Sequence, residues 1–99
     1  MSHCVKVRWV KIERGIIPRE EFDKHLPAHL EYVKSLQRAG RWIEDGYWGE
    51  LGGGMMIFDA ADEAEARRII ANDPLVKAGV VEYELKEWRV VVGMEFQSS

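Results

Sequence analysis

An α+β domain, with an antiparallel sheet carrying both helices on one face, is the fold this sequence predicts. Three observations predict it. Period-two alternation of apolar and polar residues marks strands at both ends and in the middle of the chain. Two stretches between them repeat their apolar residues at helical spacing. Glycine and proline punctuate these segments into the order β-α-β-β-α-β, followed by a tail.

Residues 4–11 alternate, with Val5, Val7 and Trp9 on one face and Lys6, Arg8 and Val10 on the other, as in a half-buried strand. Arg14-Gly15 is expected to break it. Pro18, followed by Arg19, Glu20 and Glu21, opens a helix: proline at the first helical position loses no needed donor, and acids favour the positive end of the helix dipole. Helical spacing then runs to Arg38, and Phe22, Leu26, His29, Val33 and Leu36 share one stripe facing the sheet. Pro27 interrupts this segment, because it cannot donate to the carbonyl four residues back, so a kink or a restart is expected there. Gly40 ends the helix.

Two strands follow at residues 41–48 and 54–59, joined by a glycine-rich turn at 49–53. Residues 62–72 read as the second helix, with Ala66, Ile69 and Ile70 on its inner face. Asp73-Pro74 stops it, since the residue before proline avoids helical geometry. From Gly79 the last strand spans 80–88, with Val81, Tyr83 and Leu85 opposed to Glu82, Glu84 and Lys86. Residues 89–96 either extend the sheet or reach a partner. This order is the ferredoxin-like split βαβ arrangement.

Composition bounds what such a domain can do. At 99 residues the chain is expected to be one domain, and 46% hydrophobic with 31% charged residues fits a folded one. Its core is small, so self-association is a natural way to cover remaining surface, and a homodimer is expected. Fourteen Lys plus Arg against 17 Asp plus Glu give a formal charge of −3, with the basic residues scattered among acids. Nucleic acid is therefore not an expected partner. No apolar run approaches the roughly twenty residues that span a bilayer, and Met1-Ser2-His3-Cys4 leads directly into a strand pattern, so no membrane contact and a cytoplasmic location are expected. Cys4, the single cysteine, has no second thiol and no adjacent base, and reads as a buried small residue.

His29 lies on the apolar stripe and should point inward. A core histidine is normally satisfied by a carbonyl or a carboxylate. Asp73, at the end of the second helix, can organise its own turn, yet both helices pack over the same sheet face, so the end of the second approaches the first. An imidazole held by a carboxylate has a fixed tautomer and raised basicity, which suits proton transfer near neutral pH. His25 stands one turn before His29, but no acidic third ligand or zinc motif accompanies them, and no metal is expected. The glycines at 49–54 lack the Lys-Ser/Thr and helix start of a phosphate loop. Trp9, Tyr47 and Trp48 come from neighbouring strands, where they fill core or interface, or line a flat pocket with Arg8 or Arg41 supplying positive charge.

Pro27-Ala28-His29-Leu30, the helix end Leu36-Gln37-Arg38-Ala39-Gly40-Arg41, Asp45-Gly46, Asp73-Pro74 and Ala78-Gly79-Val80 together resemble the YCII-related domain family, over roughly residues 4–90. The resemblance implies a dimeric α/β-barrel assembly and a paired His and Asp at the active site, carried here by His29 and Asp73. The family usually places a proline after the glycine of the second strand, where this chain has Tyr47. Val7-Arg8, Pro18-Arg19-Glu20-Glu21-Phe22, Gly40-Arg41-Trp42 and Ile57-Phe58-Asp59 also resemble muconolactone isomerases of the same broader superfamily, with shorter motifs.

Both resemblances imply small cyclic oxygenated substrates from aromatic degradation, and a few YCII-type proteins are similar to dehydrochlorinases of chlorinated hydroxyhydroquinones. The expected function is a cofactor-independent lyase or isomerase. His29 is the expected base, Asp73 its orienting carboxylate, Arg8 an oxyanion stabiliser, Trp9 and Tyr47 substrate contacts, and Pro74 and Leu75 a flat wall. The alternatives are a muconolactone-type isomerase and a non-catalytic dimer that binds a small ligand.

Overall fold

The computed structural model describes residues 6–50 and 52–93. Cys4, and the portions of the first strand and the tail expected at 4–5 and 94–96, lie outside the described residues. The elements in order are β1 (Lys6–Gly15), α1 (Arg19–Asp23), α2 (Leu26–Arg38), β2 (Ile43–Tyr47), β3 (Gly53–Phe58), α3 (Glu63–Ala71), α4 (Pro74–Lys77) and β4 (Val81–Val90). The sheet is antiparallel with strand order β2-β3-β1-β4, so β1 and β3 are central and β2 is an edge. This is the expected α+β, split βαβ fold.

Pro27 produces a restart rather than a kink. It occupies the first turn of α2, where its missing N–H is not needed, and α1 ends before it. The far end of α2 closes on Gly40, whose φ of 96° suits a residue without Cβ. There Gly40 N donates to Gln37 O at 2.9 Å and Arg41 N to Leu36 O at 3.1 Å, satisfying the last carbonyls of the helix. α3 begins on Asp62, whose carboxylate accepts from Glu65 N at 2.9 Å.

Several sequence expectations are corrected. β1 does not break at Arg14-Gly15: Arg14 pairs with both Gly53 and Glu82, and the ladder to β4 continues to Gly15 opposite Val81. Val10, placed with the polar face, is only 8% exposed, because it sits between Ile57 on one neighbouring strand and Lys86 on the other. The second strand is shorter than expected and begins at Ile43; the preceding Arg41 instead reaches Asp59 O and the Glu65 carboxylate. Asp73-Pro74 stops α3 but also starts a new turn, α4, with Asp73 as its N-cap and proline at its first position.

The core lies between sheet and helices. Trp9, Ile43, Met56 and Phe58 from the strands meet Val33 of α2 and Ala66, Ile69 and Ile70 of α3. Each such large apolar side chain contributes roughly 1.5–3 kcal/mol when fully buried. A smaller cluster of Leu75, Val80 and Val81, with Phe22 packed on it, fixes α4 against the start of β4. Asp73 is thereby anchored from both sides, between α3 and α4.

Candidate active site

Side chains alternate across a strand, so Trp9, which packs in the core under the helices, places Lys11 and Glu13 on the same inward face of β1. The same alternation on β2 puts Asp45 inward with buried Ile43. On α2 the stripe that buries Val33 also buries His29, which is 3% exposed. The first turn of α4 supplies Asp73, which is 0% exposed.

These groups form one continuous chain of contacts. His29 Nδ1 lies 2.8 Å from Asp73 Oδ1, and His29 Nε2 lies 2.8 Å from Asp45 Oδ2. The other oxygen of Asp73 accepts from Lys11 Nζ at 2.7 Å, and Lys11 Nζ is also 2.7 Å from Glu13 Oε1. Leu75 N donates to Asp73 Oδ1 at 2.9 Å, so this carboxylate is held by backbone, imidazole and ammonium together. With the ring protonated, charges alternate along Asp45, His29, Asp73, Lys11 and Glu13, and each buried charge has an opposite neighbour.

Burial alone would drive the imidazole towards neutrality. The hydrogen bonds from Asp45 and Asp73 and their negative charge outweigh it, and the His29 pKa rises to about 9. Burial likewise opposes the Lys11 charge, yet Glu13 and Asp73 raise its pKa above the ordinary lysine value. For Asp73 burial pushes the pKa up, but His29 and Lys11 win and hold it below the usual carboxylate range. While both carboxylates are in place the ring is an imidazolium near neutral pH, with both N–H groups donating.

The two partners of the ring differ in access. Asp73 is enclosed, whereas the Asp45 side chain is 17% exposed on the edge strand. Asp45 also borders a cavity of about 270 Å³, but Met55 and Ile57 in its wall alternate with core Met56 and Phe58, so it opens on the far face of the sheet and His29 does not reach it. Glu13, at the other end of the charge chain, borders a second hollow of about 730 Å³ with Trp48 and Tyr83.

Of the residues singled out from sequence, the structure brings His29, Asp73 and Leu75 into contact, with Pro74 as the next residue to Asp73. It does not bring Arg8 to them. Arg8 follows the opposite alternation to Trp9, so it stands on the far face of the sheet, with its guanidinium 3.7 Å from the centroid of the Trp42 ring. Trp9 is part of the core, and Tyr47 is 90% exposed beside the Asp45 cavity. His25 sits at the N-cap of α2, where its carbonyl accepts from His29 N at 3.2 Å. Sequence reasoning missed Lys11, Glu13 and Asp45. For Lys11 and Glu13 the signal was available, since both continue the alternation phase of Trp9, whereas Asp45 shares its phase with buried Ile43 and exposed Tyr47.

A small split βαβ domain with a buried histidine held between carboxylates is thus the class of protein that fold and site define. Two solved structures share the fold. The first is 5-chloro-2-hydroxyhydroquinone dehydrochlorinase (TftG) from Burkholderia phenoliruptrix AC1100, in complex with 2,5-dihydroxybenzoquinone. It superposes with a TM-score of 0.61 at 21% identity, covering 81% of this chain and 92% of that one. The second is the de novo designed protein Ferredog-Diesel, with a TM-score of 0.59 at 20% identity, covering 87% of this chain and 89% of that one. The profile of the YCII-related domain matches residues 6–89, and the chain belongs to that family. It is also 33% identical over 72 residues to the uncharacterized protein YjpA of Bacillus subtilis (strain 168), across 72% of this chain and 85% of the relative.

Proposed function

We propose that this chain is a cofactor-independent lyase or isomerase that moves a proton on a small cyclic oxygenated substrate, with His29 as the proton carrier and Asp73 as its orienting carboxylate. The observation that carries the reading is the 2.8 Å contact between His29 Nδ1 and Asp73 Oδ1, which leaves Nε2 as the working nitrogen. Asp73 is itself immobilised by Lys11 and by Leu75 N, so the ring is oriented before any ligand arrives.

Asp45 must leave Nε2 before the ring can accept a proton, since in the resting arrangement that nitrogen already carries one. Once Asp45 has moved out, Asp73 alone favours the charge, and the imidazole can lose its proton to solvent. The neutral ring then takes the proton of a substrate hydroxyl or of a carbon beside a carbonyl. The electron pair left behind either shifts the double bond, with the proton returned at another carbon, or expels chloride with the carbon–chlorine bonding pair, for a net loss of HCl. Dehydrochlorination of a chlorinated hydroxyhydroquinone fits this scheme, and the fold shared with TftG supports testing it first. Muconolactone-type isomerisation uses the same proton transfers. The exposed Trp88, Val91 and Val92 support action as a homodimer, which light scattering would read as twice the 11.4 kDa chain mass.

A positioned base contributes about 10²–10⁴-fold in rate. Purified protein is therefore to be screened against chlorinated hydroxyquinols and muconolactones for chloride release and changes in ring absorbance. His29→Ala and Asp73→Asn are expected to cut turnover at least about tenfold with the fold retained. Wild-type rates in either variant would falsify the mechanism.

Occupation of both ring nitrogens favours a second reading, a ligand-binding dimer in which the imidazolium is structural. Absence of turnover, together with a His29 ring that does not respond to any ligand in nuclear magnetic resonance titration, would establish it.

A further inference from the structure

The charge chain ends on the edge strand in a carboxylate that belongs to the protein. Without Asp45 the remaining members, His29, Asp73, Lys11 and Glu13, carry two positive and two negative charges, and the open end is the imidazolium Nε2–H. The imidazolium then keeps Asp73 as its counter-charge, but its Nε2–H is a buried charged donor without an acceptor, and such a donor bonds an anionic oxygen more strongly than a neutral one. Asp45 supplies that acceptor at 2.8 Å from the most replaceable position in the site: it is on the edge strand, and its side chain is partly exposed.

We infer that the Asp45 carboxylate occupies the position of an anionic oxygen of the ligand, so that Asp45 acts as an internal competitor and sets specificity for ligands that present an oxyanion, such as a phenolate, enolate or carboxylate, to His29 Nε2. The resting Asp45–imidazolium pair has the same charges as the pair left when a neutral ring has taken a proton from a substrate hydroxyl. A site that holds the first arrangement is already shaped for the second. A ligand that offers only neutral oxygens has to displace a charged partner with an uncharged one, which the buried imidazolium resists.

The inference rests on the reading of His29 as the working group of the site. Its test is made apart from turnover. Acetate carries the carboxylate that Asp45→Ala removes, and acetamide is its neutral analogue. Binding of each to wild type, Asp45→Ala and Asp45→Asn is to be followed near pH 6, where an imidazolium persists, by the ring nitrogen shifts of His29. The expected result is at least a tenfold fall in the acetate dissociation constant from wild type to Asp45→Ala, a smaller fall for Asp45→Asn, and no gain for acetamide. Equal acetate affinity in all three proteins, or an equal gain for acetamide, overturns the inference. Asp45→Asn keeps the shape of the side chain and supplies the comparison if Asp45→Ala is poorly folded. An acetate gain without turnover on any substrate keeps the inference and removes the enzymatic reading; turnover without an acetate gain does the reverse.

Discussion

Lys11 and Asp73 neutralise each other in a part of the molecule closed to water: Nζ lies 2.7 Å from Oδ2, and the two side chains are 1% and 0% exposed. Breaking a buried pair from one side leaves an uncompensated charge. Lys11→Met is therefore expected to lower unfolding free energy by about 3–5 kcal/mol, read by urea denaturation. A loss under about 1 kcal/mol, as for an exposed pair, would show that Asp73 does not depend on Lys11 for its charge.

Stability should fall as pH rises through the range in which His29 titrates. Its folded-state pKa of about 9 lies above the ordinary 6.5, so the stabilisation is fully present below 6.5 and is lost as pH climbs to about 9. The displacement corresponds to roughly 3 kcal/mol. The difference in denaturation free energy between wild type and His29→Gln should shrink across this window. A difference that stays constant with pH would mean that the ring is not charged in the folded protein. Asp73 has the opposite sign: its depressed pKa gives stability that is present above the ordinary carboxylate value and lost as acid protonates the folded state.

Gly54 admits no side chain. A Cβ there would press on the carbonyl oxygen of Gly46 and come within 3.0 Å of Tyr47 Cα, both on β2. Gly54→Ala should thus destabilise by roughly 1–3 kcal/mol. It should also push β2 away and loosen Asp45, the residue before Gly46. Titration of the His29 ring should then give a pKa below about 9. An unchanged ring pKa in a destabilised variant would separate the strand from the site.

Asp62 caps α3 through its 2.9 Å bond from Glu65 N. Asp62→Ala is expected to cost about 1 kcal/mol in thermal or chemical denaturation, with the His29 ring pKa unmoved because α3 contributes no side chain to the charge chain.

The fold was legible because its signals are local. Alternation over Val5, Val7 and Trp9, the stripe from Phe22 to Leu36, and the stops at Gly40 and Asp73-Pro74 each report on a few neighbouring residues. His29 could be read as inward from that stripe alone, whereas its pairing with Asp73 came from the family resemblance. Lys11 and Asp45 were missed for a physical reason. Taken singly, each is a charge on a strand, which normally faces water, and only the other members of the chain make its burial tolerable. The run Lys11-Ile12-Glu13-Arg14 therefore reads as the solvated end of a strand. Carrying the phase of Trp9 two and four residues further would have put both Lys11 and Glu13 under the helices.

The two carboxylates that clasp the ring are mounted on backbone of unequal permanence. Asp73 lies between α3 and α4, over a central sheet, while Asp45 belongs to a strand laddered to a single neighbour, β3. A border strand opens locally at lower free energy than an interior one. The ring is consequently gripped by one fixed jaw and one hinged jaw. How often Nε2 is uncovered is then set by the fraying of β2 rather than by the imidazole itself. Amide hydrogens of β2 should exchange with solvent faster than those of β1, and any ligand that seats on Nε2 would have to wait for that opening.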